Sequence, residues 1–466
     1  MSKAAIRVWD ADECERVHEA TLTVLAECGV EVMYEPALKR FADAGASVEG
    51  TRVRLRREMV AAALDSTPRT WTVKSRGRDE VLELKDGNTY FGTGSDCLYV
   101  TDPDTGLRRR AVVKDIEDLS DLCEKLPNID YVMSMGFPEN VPPEVEVLSQ
   151  QVAMLKGTRK PLLIVPRDGH MLAIMKDMAE ACGGGDSLIV YGMPSPPLMH
   201  DEFALSKIEA CAELLIPLVY APAPTAGTTA PASITAVVVT GNAEVLSGLV
   251  LHQLVNPGAP FVYGAGCDTL DMRTMINPYV SPEWSMGCQA GLDLAHFYGL
   301  PSFSYGAYSD SKILDEQWAA ESAMTAVMGA LSRGTLLHDL GYLESGMQTS
   351  FESIVLGDEL AGFAMALLRD IAVDDEALAV DEIMSAGPGG NHLSRPYTRK
   401  HYRDFWIPTL LDKAPHDRWQ SNGATSLKQR VQARVAELRA EPRPFALSAD
   451  AGGELERMLH TATRGL

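Results

Sequence analysis

The apolar residues of this chain fall into short runs that alternate with longer stretches of helical spacing. From about residue 88 the alternation is regular. Asn88-Thr-Tyr-Phe-Gly, Tyr131-Val-Met-Ser134, Pro161-Leu-Leu-Ile-Val165, Ser187-Leu-Ile-Val-Tyr191, Pro217-Leu-Val-Tyr220, Pro260-Phe-Val-Tyr263, 301–305 and 335–339 each read as a strand. Helices are predicted over 114–126, 143–156, 170–182, 202–214, 231–255, 283–299 and 351–369, with a further amphipathic helix between the last two strands. Short apolar runs without polar alternation are what a parallel sheet covered on both faces requires. Four of them open on a proline (Pro161, Pro217, Pro260 and Pro301), a strand position where the missing N–H is tolerated.

Eight strand–helix units in succession predict an α/β chain closed as a (β/α)8 TIM barrel over residues 87–371. An open doubly wound sheet would be marked by GxGxxG after an early strand, and the chain has none there. Residues 1–86 read as an N-terminal cap of helices (10–28, 35–46, 56–65) and two short strands (Thr70–Lys74 and 81–84). A hairpin is predicted on Asp102-Pro-Asp-Thr-Gly106. Beyond 372 the pattern changes to an acidic helix over 374–385, the turn Gly387-Pro-Gly-Gly390, and helices near 425–440 and 448–462. This C-terminal helical extension, 372–466, has too few strands for a sheet of its own and is expected to pack on the barrel or on a second subunit, making a homo-oligomer.

Composition narrows the partners. The 466 residues carry 42 basic and 64 acidic side chains, a net charge of −22, which repels phosphate backbones and anionic membranes and argues against nucleic acid as a ligand. The eight cysteines are scattered without a CxxC pair, so reduced thiols are expected and a structural zinc is not. No run reaches the roughly 18 apolar residues of a membrane span. The best candidate, 234–254, is interrupted by Thr240, Gly241, Asn242 and Glu244. The start of the chain shows no apolar leader, and a cytoplasmic, membrane-free protein is expected.

In a barrel the chemistry collects just past the strand C-termini. Glycines are frequent there, as in Gly92-Thr-Gly-Ser-Asp96 and Gly264-Ala-Gly-Cys-Asp268, and so are aromatics: Tyr90, Phe91, Phe137, Tyr191, Tyr220, Tyr263, Tyr305, Tyr308, Tyr342 and Phe351. Each ring alone is more simply a packing residue. Rings clustered with carboxylates, however, can hold a quaternary ammonium through cation–π attraction. Asp96, Asp268, Asp310, Asp315, Asp339, Glu344 and Glu352 supply carboxylates, and His338 is the histidine at a strand end. The chain has no GxSxG, Walker, HExxH or kinase motif. No tightly bound metal is expected.

Several ordered segments carry a resemblance to one family: Asn88-Thr-Tyr-Phe-Gly-Thr-Gly-Ser-Asp96, the Asp102-Pro-Asp-Thr-Gly hairpin, Leu126-Pro-Asn-Ile-Asp130, Val132-Met-Ser-Met-Gly136, Ser309-Asp-Ser-Lys312 with Asp315 and Gln317, Leu343-Glu-Ser-Gly346, and Gly387-Pro-Gly-Gly-Asn-His392. Together they span nearly the whole chain, which resembles the trimethylamine:corrinoid methyltransferases. The resemblance implies a barrel whose mouth receives the corrinoid (cobalamin) of a separate carrier protein, to which a methyl group passes. Family members that demethylate trimethylamine carry pyrrolysine, whereas this sequence holds only standard residues. It is similar in that respect to members acting on quaternary amines such as glycine betaine, proline betaine and carnitine. Placement at strand ends nominates Tyr90, Phe91, Tyr305, Tyr342 and Phe351 as the aromatic cage. His338 and Arg273 would meet a substrate carboxylate, Asp96 lies at the same mouth, and Asp310 or Glu344 would complement the ammonium as the catalytic acids. Two other readings are a non-catalytic betaine-binding barrel and a lyase or hydrolase that works through a carboxylate pair.

Overall fold

The computed structural model describes residues 4–465. Its centre is a parallel sheet of seven strands: β1 (Tyr90–Thr93), β2 (Leu162–Ile164), β3 (Leu188–Gly192), β4 (Leu218–Tyr220), β5 (Phe261–Gly264), β6 (Ser302–Tyr305) and β7 (Leu336–Leu340). They stand in the order β1-β7-β6-β5-β4-β3-β2 and curl as a half-barrel. Eight helices cover the sheet, seven between its first and last strands and the eighth after β7: α1 (Val113–Lys125), α2 (Glu146–Gly157), α3 (Gly169–Ala181), α4 (Glu202–Leu214), α5 (Ile234–Val255), α6 (Pro282–Tyr298), α7 (Glu316–Leu331) and α8 (Phe351–Leu367).

One of the eight strands expected, the second, 131–134, is not a ladder strand. It meets the two edge strands through isolated parallel bridges, Gly92 to Tyr131 and Val132 to Leu162. Side chains take over bonds that a ladder would give to the backbone. The Asp130 carboxylate accepts the Phe91 N–H at 2.8 Å, and the Thr93 hydroxyl accepts the Met133 N–H at 2.9 Å. The fully buried Tyr131 ring fills the gap beside Gly92, where an added Cβ would lie 2.3 Å from it.

Strand residues alternate between two cores. Leu163, Ile189, Val219, Val262, Phe303 and Leu336 form the inner one with Tyr131 and Met133. Their strand neighbours Leu162, Val190, Leu218, Phe261 and Leu337 join the helix-side core. The hairpin Thr70–Lys74/Val81–Lys85 sends Val73, Leu82 and Leu84 into the inner core next to Tyr90. It plugs the N-terminal end of the sheet and leaves the strand C-termini as the open mouth.

Around this frame, the helices Ala11–Thr23, Glu35–Asp43 and Arg57–Ser66 pack on α5. The strands Val30–Val32, Ser47–Glu49 and Arg52–Arg54, too short to show an alternation in sequence, form a small sheet with Met199–His200. Helix α5 is long and apolar enough by composition to cross a membrane, but 72% of that window is buried, because it packs against neighbouring helices and the N-terminal helices. All eight cysteines are free. Past α8, the buried Glu359 accepts the backbone N–H groups of Thr409 and Leu410, both at 2.9 Å, and Leu427–Ala440 buries Val431, Val435 and Leu438. The acidic helix expected over 374–385 is two short helices, broken where Ala379 takes φ +49°.

Gly92→Ala should push the Tyr131 ring away from β1 and cost roughly 1–3 kcal/mol of stability, as overpacking does, read from chemical denaturation.

Candidate active site

Parity along the strands selects what reaches the mouth. Two residues past Ile189, Phe303 and Leu336 on the same face come Tyr191, Tyr305 and His338. The His338 ring stacks on Phe303 at 4.0 Å and 14°, with Tyr305 at 4.5 Å and Tyr191 at 6.4 Å. Tyr305 meets Trp284 at 5.3 Å and Tyr308 at 6.1 Å, and Tyr279 stacks on Trp284 at 4.5 Å and 20°. Tyr342 closes this wall: a Cβ on Gly346 would lie 3.0 Å from its ring and 3.7 Å from Tyr279, and its hydroxyl donates to the Ser95 carbonyl. Gly94 is required beneath it, since an added Cβ would stand 2.0 Å from the Tyr342 ring.

Three carboxylates, Asp96, Asp268 and Asp339, lie among these rings. Burial pushes the phenols of Tyr191, Tyr305 and Tyr342 up, and the charge of Asp339 pushes each further. Burial raises Asp268 to about 6 against the opposing bond from Asn277, and raises Asp96 against bonds from Gln150 and Ser134. Among the described residues no lysine or arginine is paired with any of the three. The field at the mouth therefore favours a cation, and the rings supply the face for one.

His338 is 6% exposed, with Nδ1 2.6 Å from the Asp339 carboxylate. Its Nε2 is buried without a partner, as is Oδ1 of Asp268. Polar atoms left open in a buried site are where a ligand's polar groups would pair. The backbone is strained in the same region. Asp96, Met135, Ala307 and Asp339 all take φ between 58° and 72°, and the β7–β1 register slips between Leu337 and Leu340. Among the described residues no group of three or more His, Cys, Asp or Glu could hold a metal ion.

Tyr305, His338, Tyr342 and Asp96 are thus brought together, and six other residues singled out from the sequence are not. Tyr90 begins its strand, and its hydroxyl accepts from Glu83 of the hairpin at the far end. Phe91, next along, turns by alternation into the helix-side core. Phe351 is buried in that layer at the start of α8, with the Arg439 guanidinium 5.5 Å from its ring. Arg273 sits on a loop tip with its side chain 89% exposed and pairs with Asp271. Glu344 pairs with Arg108 at 2.6 Å.

Asp310 is engaged as well. Its carboxylate accepts the N–H groups of Tyr279 and Val280, both at 3.0 Å, and the Ser345 hydroxyl at 2.6 Å. It fastens the loop carrying Tyr279 rather than facing the rings. Tyr279 and Trp284 escaped the sequence reading because they lie well beyond β5, in a long loop and at the start of α6. The only signal available was two aromatics in a proline-containing stretch.

Residues 2–465 match the family model described as trimethylamine methyltransferase (MTTB). A glycine betaine methyltransferase of Desulfitobacterium hafniense (strain Y51) is 33% identical over 466 residues, covering 97% of this chain and 96% of that protein. The trimethylamine methyltransferase MttB of Methanosarcina barkeri is 29% identical over 480 residues, covering 98% and 96%. The crystal structure of the Methanosarcina barkeri monomethylamine methyltransferase (MtmB) superposes with a TM-score of 0.52 at 12% identity, covering 94% of this chain and 90% of that one, a likeness of fold. With a family model matched from end to end, the chain belongs to the trimethylamine methyltransferase (MTTB) family.

Proposed function

We propose that this protein moves a methyl group from a quaternary amine of the glycine betaine, proline betaine or carnitine type to the corrinoid of a separate carrier protein. The observation that carries the reading is the ring cluster of Tyr191, Tyr279, Trp284, Tyr305, Tyr308 and Tyr342, with Asp96, Asp268 and Asp339 unpaired by any lysine or arginine among the described residues. The corrinoid would supply the nucleophile that accepts the methyl group. Met272, Met275 and Ile276, 61–68% exposed on the loop after β5, give it an apolar rim to meet.

The chain's own part is binding, orientation and exclusion of water. The rings hold the ammonium, and the carboxylates offset its charge. As the C–N bond breaks, its electron pair stays on nitrogen and leaves a neutral tertiary amine, so no proton has to be delivered. That suits a site whose two nominated acids, Asp310 and Glu344, are committed to holding loops. The open Nε2 of His338 suits a substrate carboxylate: with Nδ1–H given to Asp339, Nε2 donates in the imidazolium form. We further propose that residues 87–371 form a (β/α)8 barrel closed through the 131–134 segment, between a cap of residues 1–86 and an extension of residues 372–466, and that the protein works in the cytoplasm.

Mixed with a corrinoid carrier protein reduced to its nucleophilic state, the protein should demethylate a betaine but not trimethylamine, followed by the corrinoid absorbance. No change across a panel of betaines would sink the proposal. Turnover without any corrinoid would favour the carboxylate-pair lyase or hydrolase instead.

His338→Asn should raise the KM for a betaine about 10–100-fold, the worth of a charge-assisted hydrogen bond, and leave that for tetramethylammonium nearly unchanged. Asp268 bears its charge above a pKa of about 6. Quaternary amine binding should therefore weaken as the pH falls through 6, and Asp268→Asn should flatten that profile. Asp310→Ala leaves two N–H groups without their acceptor. It should raise the amine KM, leave the pH profile in place, and remove near-ultraviolet circular dichroism from the Tyr279–Trp284 stack.

A further inference from the structure

Asn277 lies half-buried on the loop between β5 and α6. Its Nδ2 donates to Oδ2 of Asp268 at 3.0 Å, and its own Oδ1 is buried without a partner. Ionised above a pKa of about 6, the Asp268 carboxylate only accepts, so the amide turns its N–H groups to it and leaves the oxygen as the open end. The backbone holds that oxygen in place. On one side the Asp271 N–H donates to the Ile276 carbonyl at 2.9 Å, and on the other Asp310 accepts from Tyr279 and Val280. The pair borders the ring cluster. Tyr279 follows two residues on, and a Cβ on Gly266, two residues before Asp268, would lie 3.8 Å from the Tyr305 hydroxyl. The Tyr305 ring is in turn 4.5 Å from His338.

Oδ1 of Asp268, Oδ1 of Asn277 and Nε2 of His338 are thus open at the mouth, and each asks for a different group. The Asp268 oxygen suits an ammonium, and the His338 nitrogen suits a carboxylate. Neither group serves Asn277. A quaternary nitrogen carries no N–H and a carboxylate no O–H, so the amide oxygen requires a donor from elsewhere on the ligand. Resting on the methyl transfer proposed above, we propose that Asn277 reads a hydroxyl on the substrate, and that the preferred substrate is a quaternary amine bearing both a hydroxyl and a carboxylate. The hydroxyl donates to Oδ1 of Asn277 while the ammonium lies against the neighbouring Asp268 and the rings. A betaine without the hydroxyl leaves that oxygen buried and unpaired, which is how a site built for a hydroxyl rejects the analogue lacking it. Asn277 therefore separates betaines that the rings and carboxylates alone would treat alike.

Carnitine and γ-butyrobetaine differ only in that hydroxyl, and titration calorimetry compares them on the full-length protein with no carrier present. Carnitine should bind about 10–100-fold more tightly, and Asn277→Leu should bring the two affinities together. His338→Asn should weaken both and keep their ratio, since both bear the carboxylate. Should Asn277→Leu not fold, Asn277→Gln, which displaces the amide oxygen by one methylene, takes its place and should also lower the ratio. Equal wild-type affinities, or a ratio that survives both Asn277 variants, would overturn the role of Asn277. Carrier-dependent demethylation is measured separately: if it proceeds on both amines while their affinities are equal, methyl transfer stands and only the hydroxyl reading falls. Binding of neither amine would overturn both.

Discussion

A strand in a curled sheet offers each residue one of two neighbourhoods, the narrow interior or the helix layer. Parity along the strand decides which, and the strand-borne side chains at the mouth of this protein follow from that constraint. On β7, Leu336 faces inward and Leu337 outward, so His338 arrives beside Phe303 and beneath Tyr305. On β4 and β5 the same rule sends Tyr220 and Tyr263 into the helix layer, where their hydroxyls find His200 and Asn242. Residue type alone would have placed all of these rings at the mouth. One step of register removes Tyr220 and Tyr263 from the chemistry.

The second constraint is charge. A buried carboxylate normally needs a cation or several N–H groups. Most buried acids here have them: Asp310 takes two backbone N–H groups, and Glu359 takes those of the segment that anchors the C-terminal extension. Asp268 and Asp96 have neither a cation nor several N–H groups, and burial pushes their carboxyls up against the side-chain bonds they accept. Asp268 keeps one carboxylate oxygen without a partner beside the rings, a place suited to a positive ligand. The left-handed backbone at Asp96 and Asp339 belongs to the same economy, since strain of this kind persists only where the surroundings hold it.

The cage is not carried by strands alone. Tyr279 and Trp284 come from a long loop and the start of α6, and the loop is fastened at its base by Asp310 from the loop after β6. Three loops meet at that carboxylate once Ser345 is counted. Its role is mechanical, which explains how an acid in the right neighbourhood need not touch a substrate.

The apolar runs determined the strands of the sheet and the helices between them, because a strand buried on both faces must be apolar throughout and a helix must repeat its apolar face. The ordered motifs determined the family. His338, Tyr305, Tyr342 and Asp96 were legible as candidates because each stands near the C-terminal end of a strand or just past one. Tertiary structure alone decided the rest. It turned Phe91 outward and set Tyr90 at the plugged end, since facing depends on register and not on residue type. It gave Asp310 and Glu344 to loops and left Arg273 in solvent, since hydrogen-bond partners far apart in sequence are not written in either local stretch. It also reduced the second expected strand to two bridges, because the Asp130 and Thr93 side chains captured the bonds that would have made it a ladder.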